Sequence, residues 1–297
     1  MSVSLWCEEE QEDAMPRAPW DPHASGERVL GMLLRVEQRY SPSALYVSLT
    51  QRQPQQREQL AKWALEVCCE SSCEERVFPL ALSLLDRFLS TSLALPPSPL
   101  CLAAACVLLA SKLQQSEPLG AHMLCAAAPG AFLPQSLREM ERVVLATLQW
   151  DVAAITPQDF FPHLLPAPTE KGASTADAEA FLSTLRRHGD TLVAMCICDA
   201  RFLGMPPSLV AAAALNSAFR GLDDRGPQLR NMPKTLAAHC RINLAVLQYY
   251  TDMIEGALSE RLRAGRTQQE KQHKAEKDGD VEEERASTPT DLQEVDF

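Results

Sequence analysis

Three features of this 297-residue chain predict an all-α fold. Helix formers dominate, with 42 Leu and 39 Ala against 15 Val and 4 Ile, a composition that disfavours pleated strands. Apolar residues recur with a period near 3.6, and prolines stand where the periodic segments begin. The length suffices for one large domain or two ordinary ones, each with its own core.

The elements follow from these patterns in chain order. Leu60, Trp63, Ala64, Val67 and Cys68 form one amphipathic face, and Val77, Leu80, Ala81, Leu84, Leu85 and Phe88 form another. A third helix should begin after Pro96, Pro97 and Pro99 and run to about Leu113. Its small residues Ala103, Ala104, Ala105 and Cys106 allow close contact on most sides, which places it centrally. A fourth starts at Pro134 and carries Leu137, Met140, Val144 and Leu148; Trp150 and the Thr156–Pro157 step end the unit. The second half repeats this plan. Pro96-Pro97-Ser98 followed by Ala103-Ala104 matches Pro206-Pro207-Ser208 followed by Ala213-Ala214 at an offset of 110 residues. Asp86-Arg87-Phe88-Leu89 and Asp199-Ala200-Arg201-Phe202-Leu203 lie upstream of the two copies, so two units of one helical fold are expected. The Pro-, Ala-, Ser- and Thr-rich stretch from Pro166 to Ala178 reads as a loop in the second unit.

Charge narrows the function. Residues 1–27 carry a net charge of −6, residues 260–297 carry −4, and the body between them −1. A neutral body with acidic ends lacks the basic footprint of a nucleic-acid clamp. Both ends are polar and poor in aromatics, and are expected to be disordered peptides available to partners. The apolar run from Leu100 to Leu113 is 14 residues, short of the roughly 18 that a membrane span needs. Acids at Glu8, Glu9, Glu10, Glu12 and Asp13 stand where a secretory signal would be basic and then apolar, so a reducing compartment is expected and the ten cysteines read as thiols.

Catalytic constellations do not emerge. Cys69 and Cys73 are four residues apart, and Cys101 or Cys106 could approach them in space, but no Cys-x-x-Cys or histidine cluster completes a zinc site; buried thiols fit better. The six histidines are scattered, no nucleophile sits in a recognisable elbow, and with 12 glycines there is no phosphate cradle. No metal or cofactor is expected, and the chain reads as a non-enzyme.

A family resemblance carries the argument further. Trp63-Ala64-Leu65-Glu66-Val67-Cys68, Glu74-Glu75-Arg76-Val77-Phe78-Pro79-Leu80-Ala81 and Leu85-Asp86-Arg87-Phe88-Leu89 closely resemble the cyclin box of a D-type cyclin. So do Leu109-Ala110-Ser111-Lys112-Leu113, Glu117-Pro118-Leu119, Leu124-Cys125 and Leu148-Gln149-Trp150-Asp151-Val152-Ala153-Ala154. In the second unit Arg187-His188, Leu192-Val193-Ala194-Met195-Cys196 and Pro206-Pro207-Ser208 are similar to the same family. The resemblance implies two tandem five-helix cyclin boxes, over 25–152 and 153–260, between tails at 1–24 and 261–297. It also implies a regulatory subunit that binds and activates cyclin-dependent kinases 4 and 6 in G1, directs them to retinoblastoma-type pocket proteins, and moves between nucleus and cytoplasm. Cyclin-dependent kinase inhibitors and a ubiquitin ligase are the further partners implied; nucleic acid and membrane are not. The rival reading is a transcription-factor-type cyclin fold that acts as an adaptor without activating a kinase; the neutral body and the lack of a zinc ribbon speak against it.

Site residues carry over position by position. The family's kinase-contacting pair falls on Lys112 and Glu141; on the residues alone these are a helix-end lysine that suits the helix dipole and an exposed helical acid. Arg57 and Asp86 match a buried structural ion pair that joins the first two helices. The substrate-docking patch maps onto Gln56, Leu60 and Trp63. Gln56 stands where the family has methionine, a polar amide in an apolar groove, and Trp63 suits ordinary core packing equally well. At the amino terminus Leu5, Cys7 and Glu9 fit the Leu-x-Cys-x-Glu motif for pocket proteins; an extended backbone turns all three to one side. At the other end Ser287-Thr288-Pro289-Thr290-Asp291 resembles a phosphorylation-dependent turnover signal centred on Thr288.

Overall fold

Alanine and proline decide where the two halves of the molecule have their centres. The computed structural model describes residues 26–93, 96–165, 175–222 and 231–285. The chain opens with α1 (Glu27–Val36), a 3-10 turn (Glu37–Tyr40) and α2 (Ala44–Arg52). The first five-helix unit comprises α3 (Gln55–Glu70), α4 (Val77–Ser92), α5 (Pro99–Gln114), α6 (Ala121–Ala126) and α7 (Pro134–Thr147). The second comprises α8 (Pro157–Leu164), α9 (Thr175–Cys198), a 3-10 turn (Ala200–Phe202), α10 (Pro207–Gly221), α11 (Met232–His239) and α12 (Leu244–Arg285). Among the described residues no strand occurs, and no helix is long and apolar enough to cross a membrane.

The central helices are α5 and α10. Each has a proline in its first turn, where a missing N–H costs nothing. Every residue from Cys101 to Ser111 in α5, and from Ser208 to Ala218 in α10, is buried. Their alanines keep the helices thin enough for α3, α4, α6 and α7 to pack around α5, and for α8, α9, α11 and α12 to pack around α10. The two helices start at Pro99 and Pro207, so the structural offset is 108 residues, two fewer than the string match suggests. Pro-Pro-Ser precedes α5 but overlaps the first turn of α10. The aspartate motifs are not equivalent either: Asp86 lies inside α4, whereas Asp199 caps the short 3-10 turn by accepting from the Arg201 N–H at 3.0 Å.

Other boundaries differ from expectation. The loop expected over 166–178 gives way to α9 at Thr175, while 166–174 lie outside the described residues. The last helix continues to Arg285, into the segment expected to be tail from 261 onward; its Gln, Glu, Lys and Arg content can propagate a helix that α12 has already nucleated. Residues 1–25 and 286–297 lie outside the description. Finally, α1 falls within the span assigned to the first unit, yet Leu30, Leu33 and Leu34 pack with Phe160 and Phe161 in the second core. The spacing of those leucines puts them on one side of α1, which lies against α8.

Candidate functional site

The two units are fastened together by a few charged side chains. Arg57 of α3 forms a fork with Asp86 of α4, Nε to Oδ1 at 3.0 Å and Nη2 to Oδ2 at 2.8 Å. Its remaining Nη1 donates to the Ile197 carbonyl at the end of α9, at 2.6 Å, and the Tyr46 hydroxyl of α2 donates to Asp86 Oδ1 at 2.8 Å. The Arg57 and Asp86 side chains are only 6% and 8% exposed, so one bidentate pair unites α2, α3, α4 and the second unit in a dry setting. Burial opposes the guanidinium charge, but Asp86 more than offsets it and holds Arg57 above its ordinary pKa. Burial and the neighbouring Asp86 charge drive the Tyr46 phenol upward, so it stays a donor.

Two more anchors make the junction rigid. Glu37, buried after α1, accepts from both the N–H and the hydroxyl of Ser208 at 2.9 Å, capping the N-terminus of α10 with a carboxylate. Burial raises its pKa, and the two Ser208 bonds counter that shift. Arg87 of α4 donates to the Asp151 and Ala153 carbonyls at 2.7 and 2.8 Å and lies 5.1 Å from the Tyr40 ring, holding the segment between the units. Thr156 and Asp159 form a capping box that starts α8 straight after it. Neither Glu37 nor Tyr46 has a sequence signal that distinguishes it from other polar residues, because their partners lie far away in the chain.

Against this frame the remaining candidates fall in different places. Lys112, in the last turn of α5, and Glu141, on α7, form an ion pair with each other; Lys112 is 46% exposed, whereas Glu141, expected to be an exposed acid, is only 14% exposed. The same elements carry uncovered apolar side chains: Leu113 next to Lys112, Val143 on α7, and Trp150 just after α7. Trp150 is 73% exposed and has a left-handed backbone, φ 61°. Of the docking residues on α3, Gln56 is exposed, Leu60 is buried in the first core, and Trp63 is half-buried with its indole N–H donating to the Ala127 carbonyl at 3.4 Å. They share one helix, but only Gln56 stands fully in solvent. Leu5, Cys7, Glu9 and Thr288 lie outside the described residues.

Most of the thiols lie in the helix packing. Cys68, Cys101, Cys106, Cys196, Cys198 and Cys240 are buried, and burial pushes Cys196 and Cys240 up to about 12. Cys69 is an exception to the expected burial: it is exposed at the end of α3, and Cys73 is half-buried in the turn that follows. Among the described residues no group of three or more His, Cys, Asp or Glu side chains is placed to hold a metal ion. The arrangement is therefore two alanine-centred bundles, locked at a polar junction, presenting a charged and apolar surface.

Comparison with known proteins places this architecture. Residues 28–153 match the family described as cyclin, N-terminal domain, and residues 155–286 match cyclin, C-terminal domain. G1/S-specific cyclin-D2 of Gallus gallus is 38% identical over 297 residues, spanning 95% of this chain and 97% of the relative. G1/S-specific cyclin-D1 of Mus musculus is 36% identical over 302 residues, spanning 99% and 98%. A solved viral cyclin from herpesvirus saimiri has the same fold, with a TM-score of 0.60 and 20% identity over 79% of this chain and 96% of that one. With two cyclin domains in tandem and curated relatives aligned almost end to end, the chain belongs to the D-type, G1/S-specific cyclins.

Proposed function

We propose that this cyclin, as the regulatory subunit of a cyclin-dependent kinase in G1/S, binds and activates cyclin-dependent kinases 4 and 6 through a surface centred on Lys112 and Glu141. The observation that carries this reading is the position of that pair. Lys112 is exposed and Glu141 is partly covered, the same helices and the residues just after α7 carry the exposed apolar groups Leu113, Val143 and Trp150, and α5 is buried along most of its length. A stiff surface can select between two states of a partner. If a kinase alternates between arrangements that do and do not bring a helix glutamate to the lysine holding the ATP phosphates, a subunit that fits only the active one shifts the population toward it. The chemistry stays with the kinase. Co-purification with the kinase, followed by phosphorylation of a pocket-protein fragment, is the direct test; failure to bind and activate would end the reading.

Substrate delivery is expected to rely on the tails more than on α3. With Leu60 buried and Gln56 polar, the Gln56–Leu60–Trp63 patch offers little apolar surface to a docking peptide of a substrate or an inhibitor. The amino-terminal Leu5, Cys7 and Glu9 supply two apolar anchors and one acid to a pocket-protein groove. A synthetic peptide of residues 1–10 should bind an isolated pocket domain, and the version with Cys7→Gly and Glu9→Lys should lose at least about tenfold in affinity, since each lost anchor is worth about 1 kcal/mol or more. Equal affinities by calorimetry would remove the motif.

Turnover is assigned to Thr288. A proline at the next position biases a threonine toward the extended form that a proline-directed kinase accepts, and phosphate on Thr288 would add about −1.5 to −2 charge and three acceptor oxygens for an arginine-bearing receptor of a ubiquitin ligase. Export from the nucleus and destruction would follow. In dividing cells the Thr288→Ala chain should persist longer than the parent and remain nuclear; identical decay and identical distribution would rule Thr288 out as the switch.

A further inference from the structure

α3 ends in a turn that brings two cysteines together. Ser72 adopts the left-handed conformation, φ 51°. The Cys73 N–H donates to the Cys68 carbonyl at 2.9 Å, and the Ser72 N–H donates to that of Cys69 at 3.1 Å. This is a Schellman-type closure, in which the side chain within the last helical turn meets the one just past the end, ordinarily as an apolar pair. Here both members are thiols. Cys68 is buried and Cys73 half-buried, the two positions that this closure brings side by side.

The backbone bond also limits the distance between them. With about 2.4 Å from Cα to its carbonyl oxygen and about 1.5 Å from N to Cα, a 2.9 Å bond keeps the two Cα atoms within about 6.8 Å. Disulfides span this separation. We propose that Cys68 and Cys73 are a reversible redox pair, which peroxide converts to an intramolecular disulfide across the C-terminal cap of α3. Cys73 is the more accessible of the two sulfurs. As its proton leaves, it attacks hydrogen peroxide: an S–O bond forms, the O–O bond breaks, and a sulfenic acid and one water result. Cys68 then gives up its proton and attacks the Cys73 sulfur. The S–S bond forms, the S–O bond breaks, and the hydroxyl leaves with that proton as a second water. Two thiols lose two electrons, which peroxide takes up, and a dithiol reductant reverses the step.

Burial pushes both thiols up, so both are protonated in the resting chain and each must lose its proton before it attacks. The bond ties the helix that carries Gln56, Leu60 and Trp63 to the turn entering α4. Exposed Cys69, adjacent in sequence, is the built-in competitor.

The full-length chain is treated with increasing hydrogen peroxide, then denatured and alkylated with N-ethylmaleimide. Cleavage at Lys62 and Arg76 puts Cys68, Cys69 and Cys73 in one peptide, Trp63–Arg76. The expected product has lost two hydrogens and carries a single maleimide, on Cys69. It regains all three labels after dithiothreitol, and forms within about twofold of the parental rate in the Cys69→Ser chain. Cys73→Ser, at a half-buried site, abolishes the product, with circular dichroism as the check on folding. Three outcomes would each overturn the assignment: a disulfide through Cys69, a Cys73 sulfinic acid with Cys68 still free, or a Cys73 that stays alkylatable after Cys69 has been oxidised.

Discussion

Replacing Arg57 with alanine should destabilise the folded chain by about 3–5 kcal/mol, the cost of leaving one partner of a buried ion pair without the other. The loss is specific to this site. Asp86 would keep only the Tyr46 hydroxyl, and the Ile197 carbonyl at the end of α9 would lose its donor, so the contact between the units weakens along with the first core. Arg57→Lys should recover little, because a single ammonium cannot replace a fork that reaches Asp86 twice and Ile197 once. A urea titration followed by circular dichroism measures the effect. A change below about 1 kcal/mol, the scale of an exposed pair, would mean that the pair is hydrated in solution. The contrast to run beside it is Arg220→Ala, whose bonds to Asp252 and Glu255 lie at the surface and should be worth no more than about 1 kcal/mol.

Lys112→Glu should raise the dissociation constant for the kinase by about 100-fold or more while leaving the fold intact. A like charge forced against a complementary surface costs several kcal/mol, and each 1.4 kcal/mol is about a factor of ten. Because Lys112 also pairs with Glu141, the reversal places two carboxylates together within the free chain. Lys112 is 46% exposed, which limits the cost, and Glu141 is 14% exposed, so circular dichroism is run beside the binding assay to check that the fold survives. The double variant Lys112→Glu with Glu141→Lys separates the two effects, since it restores the internal pair but presents both charges in exchanged positions. Binding should remain weak in the double variant if Lys112 meets the kinase directly. Recovery to the parental constant would show instead that the residues act only through each other. Undiminished binding of the single variant would remove Lys112 from the interface.

The chain's residues determined more of the architecture than of its assembly. The all-α class, the two helical units and the central place of α5 were legible because each rests on local information, namely helix propensity, a 3.6-residue apolar period, and alanines bounded by prolines, while the count of five helices in each unit came from the family resemblance. Arg57, Asp86, Lys112 and Glu141 were legible only through their resemblance to a family, since on a helical wheel they are ordinary polar positions. What the tertiary structure alone decided is which distant groups meet. Glu37 caps α10 from 171 residues away, Arg57 reaches Ile197 across 140, and α1 gives Leu30 to the second core rather than to the unit it precedes. Cys68 and Cys73 are close in sequence, yet they meet only because Ser72 turns left-handed where α3 ends. Propensity and periodicity describe a residue's own turn or strand and carry no record of the surface it will face. A buried carboxylate, an orphan carbonyl or a leucine stripe finds its partner only when the helices pack, because burial is what makes leaving such groups unmatched costly.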